Sequence, residues 1–178
     1  MAAKNRKAAT TTLRRMYVDC RYGQLHLTTA FPPSGGFDEL TTLLFLHGEG
    51  GTGADFNACA TLLGADRSVY APDLPGSGAS DGPAGRLTVA NLAATMSDLL
   101  DQLRLREVDV VGCGRGAVVA FELAALRPRA VRRVIYAGNQ HPAAMPAQPV
   151  LQLTEDPEAM TQQAAAPLAQ RIREFLEA

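Results

Sequence analysis

The sequence predicts an α/β domain built on a doubly wound, mostly parallel sheet with helices on both faces. Three observations lead there. The run Leu40 to Leu46 is apolar without alternation, as a strand covered on both faces requires. Segments of helical period lie between the strand-like runs, and glycine- and proline-rich turns separate the two kinds. Right-handed crossovers then gather the strand ends on one rim, where ligands bind.

Met16 to Cys20 and Gln24 to Ala30 read as a hairpin through Arg21-Tyr22-Gly23. The loop Phe31 to Glu39 breaks the pattern before the strand that stops at His47-Gly48-Glu49-Gly50-Gly51. Ala54 to Leu63 reads as a short helix and Ser68 to Ala71 as the next strand. After the loop Pro72 to Arg86, Thr88 caps a helix whose Val89, Leu92, Met96, Leu99, Leu100 and Leu103 share one face. Val108 to Val111 leads into a helix, Arg115 to Leu126, that ends before Pro128. Arg132 to Ala137 and Pro149 to Leu153 complete the strands, and Leu168 to Leu176 is a closing helix.

A length of 178 residues, with 47% hydrophobic and 20% charged residues, suits one globular domain, expected over residues 16–178. Residues 1–15 carry Lys4, Arg6, Lys7, Arg14 and Arg15 and read as a flexible basic tail, with a transit peptide as the alternative. A net charge of -1 gives no electrostatic reason to expect nucleic acid or an anionic membrane. No apolar run reaches the ~18 residues of a membrane span. Cys20, Cys59 and Cys113 form no disulfide framework and no zinc spacing, which points to a reducing cytoplasm and no metal.

The segment Val108-Asp109-Val110-Val111-Gly112-Cys113-Gly114-Arg115-Gly116-Ala117 reads as strand, pinched turn and helix. In a nucleophile elbow, G-x-S-x-G, a strained turn presents a side chain above the sheet. Gly112 and Gly116 are the flanking glycines here, and the centre is Gly114, which has no side chain to attack a carbonyl or hold a proton.

Two upstream segments accompany it: Leu44-Phe45-Leu46-His47-Gly48, and Ala71-Pro72-Asp73-Leu74-Pro75-Gly76-Ser77-Gly78-Ala79-Ser80-Asp81. The first looks like a strand followed by an HG loop, the second like a D-x-P-G-x-G-x-S loop. In this order they resemble the α/β-hydrolase superfamily, in particular its small-molecule esterase, epoxide-hydrolase and dehalogenase-like branch, from about Tyr17 to Gly138.

The resemblance implies a division of labour. Oxyanion amides would come from Glu49 and Arg115, beside His47, Gly48 and Asp73, and the Arg115 amide would begin a helix whose dipole favours negative charge. The Glu49 carboxylate departs from the family pattern, since it opposes such a charge. The family's base is a histidine after the last strand, and none follows His141. His141 lies on the functional rim but at the wrong chain position for the base. His47 supports the loop, and His26 reads as a surface residue. Asp156 matches the family's acid, while its own neighbourhood, Asp156-Pro157-Glu158, reads as a helix start.

Only Gly138 to Gln148 occupies the place where lidded members carry an insertion, so a shortened C-terminal half without a lid is expected. An open rim would expose apolar surface for a partner or a second copy, as in a homodimer, to cover. The resemblance therefore implies a carboxylester-type hydrolase ancestry with catalysis lost or severely impaired, and no cofactor.

Two other classes fit the same residues. One is a non-catalytic module that binds a small molecule or protein through the old site. The other is a Rossmann-type NAD(P) site, because Gly112 to Ala117 satisfies G-x-G-x-x-A, although Ala137-Gly138-Asn139 lacks the acidic residue that fingerprint wants. Cys113 as an alternative nucleophile would point towards the sheet, and a buried structural cysteine is the preferred reading.

Overall fold

The structure is a computed structural model, described here over residues 11–33, 40–139, 145–154 and 165–178. Its centre is a seven-stranded sheet in the order β1-β2-β4-β3-β5-β6-β7. β1 (Arg14–Cys20) and β2 (Gly23–Ala30) form the expected hairpin, in which Cys20 pairs with Gly23 and Gly23 takes a φ of 115°. The first strand starts two residues earlier than its sequence pattern suggests, and Thr11 already donates to the carbonyl of Thr61.

β2 runs antiparallel to β4 (Val69–Pro72), and β4, β3 (Thr42–Leu46), β5 (Val108–Cys113), β6 (Val131–Ala137) and β7 (Val150–Thr154) run parallel. The central strands are buried on both faces: every residue of β5 is buried. That is why their sequences show no alternation. β1 is an edge strand, half-buried at every second position.

Two helices cover each face. α2 (Val89–Gln102) and α3 (Arg115–Leu126) pack with Leu44, Leu46, Val110 and Val134 on one side. α1 (Asn57–Leu63) and α4 (Ala165–Glu177) pack with Phe45, Val111, Ile135 and Leu153 on the other. This is the doubly wound arrangement, and at a fully buried leucine such as Leu99 truncation to alanine would cost about 2–5 kcal/mol.

Thr88 caps α2 as expected: its hydroxyl accepts from the Asn91 N–H, and the Asn91 side chain accepts from the Thr88 N–H. One element differs from expectation. Residues 54–63 are not one helix but a 3₁₀ turn (Gly53–Phe56) followed by α1, because Thr52 and Asp55 close a capping box on the tighter turn. In the chain, residues 138–149 separate β6 from β7.

Candidate functional site

The strand order reverses at one place on the rim. From β3 the chain crosses to β4 on one side, whereas β5 lies on the other side, with Leu46 paired to Gly112. Crevices that bind ligands open beyond the carboxyl ends of strands at such a switch point. The loops leaving β3 and β5, through Gly48 and Gly114, meet there.

Gly114 is the tip of the second loop. Its φ of 51° and ψ of -122° lie where side-chain-bearing residues are strained, and its N–H donates to the Ala137 carbonyl at 3.0 Å. The flanking glycines serve a different purpose, the close approach of α3 to the sheet. A Cβ on Gly112 would stand 2.6 Å from the Gly116 oxygen, and one on Gly116 would run into the Leu46 carbonyl. A Cβ on Gly114 would meet only the Gly48 Cα, at 3.6 Å, so the tip faces open space. The backbone is that of a strained strand-to-helix elbow, with no side chain mounted on it.

His47 is 1% exposed and both its ring nitrogens are engaged. Nε2 accepts the Leu74 N–H at 2.8 Å, and Nδ1 donates to the Gly48 carbonyl at 2.8 Å. An amide can donate only to an unprotonated nitrogen, so the ring is the neutral Nδ1–H tautomer with no lone pair to spare. It braces the loop after β3 against the loop after β4.

Asp73 sits beneath that second loop and does not line the cleft. Its carboxylate accepts from the Gly53 N–H at 2.8 Å and the Ala79 N–H at 2.9 Å, and pairs with His26 Nδ1 at 3.0 Å. The Ser80 hydroxyl donates to the Asp73 carbonyl and accepts the His26 N–H. His26, read from its hairpin position as a surface residue, is instead half-buried against Asp73, because β2 pairs with β4 and brings residues 26 and 73 together. Asp73 therefore shapes the loop that walls the site rather than contacting its contents.

The crevice beside Gly114 is a cleft of about 270 Å³, bounded by His47, Gly48, Leu74, Ser77, Arg86 and Arg115 among others. Glu49 also borders it, with an exposed carboxylate paired to the Arg86 guanidinium, so that its negative charge is offset at the mouth. The Arg115 guanidinium donates to the Leu87 carbonyl. Of the residues singled out from the sequence, the structure thus gathers His47, Gly48, Glu49, Gly114 and Arg115 and leaves Asp73 behind them. His141 and Asp156 lie outside the described residues. Ser77 belongs to the Asp73–Asp81 loop already quoted, whereas Arg86 and Leu87 carry no motif of their own, and only their place just before the Thr88 cap could have marked them.

Cys113 faces the α1 and α4 side of the sheet with Val111 and Ile135. Burial pushes its thiol up to about 11, which leaves it protonated and inert near neutral pH. Among the described residues no cluster of three or more His, Cys, Asp or Glu side chains is placed to hold a metal ion, and no helix is long and apolar enough to cross a membrane.

Comparison with known proteins identifies the fold. A profile of the alpha/beta hydrolase fold matches residues 41–175. An uncharacterized protein of Mycobacterium tuberculosis is 38% identical over 93 residues, covering 52% of this chain and 27% of that one. The 3-hydroxybutyrate-oligomer hydrolase of Cupriavidus necator is 32% identical over 95 residues, covering 52% and 32%. Among solved structures, epoxide hydrolase CorEH superposes with a TM-score of 0.65 at 24% identity, over 71% of this chain and 42% of that one. A serine-to-glycine mutant of the N-acyl homoserine lactonase AidH, complexed with N-hexanoyl homoserine lactone, superposes with a TM-score of 0.62 at 24% identity, over 70% and 45%. In each of these four the matched region is less than half of the other protein's length.

Proposed function

The chain belongs to the α/β-hydrolase fold family, and we propose that it is a relative of small-molecule, carboxylester-type hydrolases that keeps the cleft as a binding site and does not turn over by the nucleophilic route. The observation that carries this reading is Gly114. Acyl transfer by that route needs an attacking side chain at the elbow tip, a base to deprotonate it and amides to hold the oxyanion. The tip offers no attacking atom. His47 has no free ring nitrogen, and His26 is held by Asp73 away from the cleft.

What the reading retains is independent of side chains. The amides of Glu49 and Arg115 would still face a developing negative charge, and the first turn of α3 adds the positive end of its dipole. Such a site supports at most weak hydrolysis by water, on the order of 10³-fold over solution. The three cysteines are free, in keeping with a reducing compartment such as the cytoplasm.

The test is hydrolysis of p-nitrophenyl acetate by the full chain together with labelling by a serine-directed fluorophosphonate. The expected outcome is no label and turnover barely above the buffer rate. Robust turnover abolished by the fluorophosphonate would overturn the reading.

A further inference from the structure

The cleft carries two guanidinium groups and one carboxylate, from Arg86, Arg115 and Glu49. Glu49 is paired with Arg86, whereas Arg115 makes no ion pair among the described residues and spends a single donor on the neutral Leu87 carbonyl. A guanidinium has five N–H donors in a planar fork that matches a carboxylate. Arg115 is also the first residue of α3, where a cation faces the positive end of the helix dipole. Its own position therefore disfavours it, and an anion in the cleft would relieve both the unpaired charge and the helix end.

Building on the binding role argued above, we propose that this cleft recognises a small carboxylic acid in its ionised form, with the carboxylate on Arg115 and an apolar tail against Leu74, Leu87 and Leu92. The uncompensated charge of the cleft is one, which fits a carboxylate better than a doubly charged phosphate. A volume of about 270 Å³ admits a short aliphatic or single-ring acid and excludes a dinucleotide. The ion pair between Arg86 and Glu49 is exposed and weak, so Arg86 can turn to a ligand as a second donor.

The experiment titrates the ¹⁵N-labelled full chain with sodium phenylacetate, with the neutral isostere phenylacetamide and with inorganic phosphate, at low ionic strength. Phenylacetate is expected to shift the amides of Gly48, Leu87 and Gly114 and to bind at least ~10-fold more tightly than phenylacetamide, the scale of charge-assisted hydrogen bonding. Arg115→Gln should abolish most of that preference, and Arg86→Gln should reduce it less. The comparison of acid with amide on the unsubstituted protein decides the matter even if Arg115→Gln fails to fold. Equal binding of acid and amide in the cleft overturns the inference while leaving the binding role intact. Phosphate binding as tightly as phenylacetate overturns the carboxylate assignment. No cleft shift with any of the three overturns the inference; the hydrolysis and labelling assay then shows separately whether the reading of Gly114 stands.

Discussion

The Nε2 atom of His47 accepts the backbone N–H of Leu74 at 2.8 Å, and this contact joins the two loops that form the cleft. Both groups are buried, so removing the acceptor leaves an amide without a partner. His47→Phe keeps the ring volume and removes both hydrogen bonds. It should lower stability by about 1–3 kcal/mol, read as a shift in the urea midpoint without a change in slope. An unchanged midpoint would show that the contact does not brace the loops.

Gly114 and Gly116 make opposite predictions although they are two residues apart. At Gly114 there is space for a side chain but the backbone angles are strained, so Gly114→Ser should fold with a loss of about 1–3 kcal/mol. It should not gain esterase activity, because among the described residues neither histidine, His26 nor His47, offers a nitrogen to activate the hydroxyl. At Gly116 the obstacle is the backbone of Leu46 and His47, which cannot move without displacing β3. Gly116→Ala should therefore cost more than Gly114→Ser when the two are compared by urea unfolding. Fluorophosphonate labelling of Gly114→Ser would show that an imidazole does reach the tip.

Most of the sheet and the helices on it were legible because burial on two faces erases alternation and burial on one face imposes a helical period. The elbow was legible because close packing of α3 on β5 and on the end of β3 demands glycine at Gly112 and Gly116, whatever stands between them. Other features depend on pairings between distant segments. His26 meets Asp73 only because β2 runs antiparallel to β4, and nothing local to either residue signals it. Arg86 reaches the cleft from an aperiodic loop that ends at the Thr88 cap. The break at Phe56 arises from a capping box whose Asp55 also suits a longer helix start.

Cys113 stands beside the elbow tip and is nonetheless predicted to be unreactive. With its thiol pushed up to about 11 by burial, only about one molecule in a thousand carries the thiolate at pH 8. Titration of the native protein with a thiol reagent such as DTNB should modify Cys20 readily and leave Cys113 and Cys59 unmodified until the chain is unfolded with urea. Fast modification of Cys113 in the folded protein would contradict this placement.

Asp109 predicts an unusual dependence of stability on pH. It lies on β5, 1% exposed, and neither carboxylate oxygen has a hydrogen-bond partner among the described residues. Burial pushes its carboxyl above the ordinary range, against the smaller opposing pull of Arg133, Arg132 and Arg67. The folded state therefore holds this proton at a pH where the unfolded chain, titrating near ~3.9, has released it. Between those two values the native state binds more protons, so the contribution of Asp109 to stability falls as pH rises, and it stays low above the folded value. Asp109→Asn should remove that downward slope from a series of urea melts between about pH 4 and 8. Asp109→Val, which matches the neighbouring strand residues Val108, Val110 and Val111, should raise stability at pH 7 by about 1–3 kcal/mol, because it removes a desolvated carboxylate and leaves Arg67 paired with Asp66. A lower melting temperature for Asp109→Val at pH 7 would show that the carboxylate is held by interactions stronger than its burial.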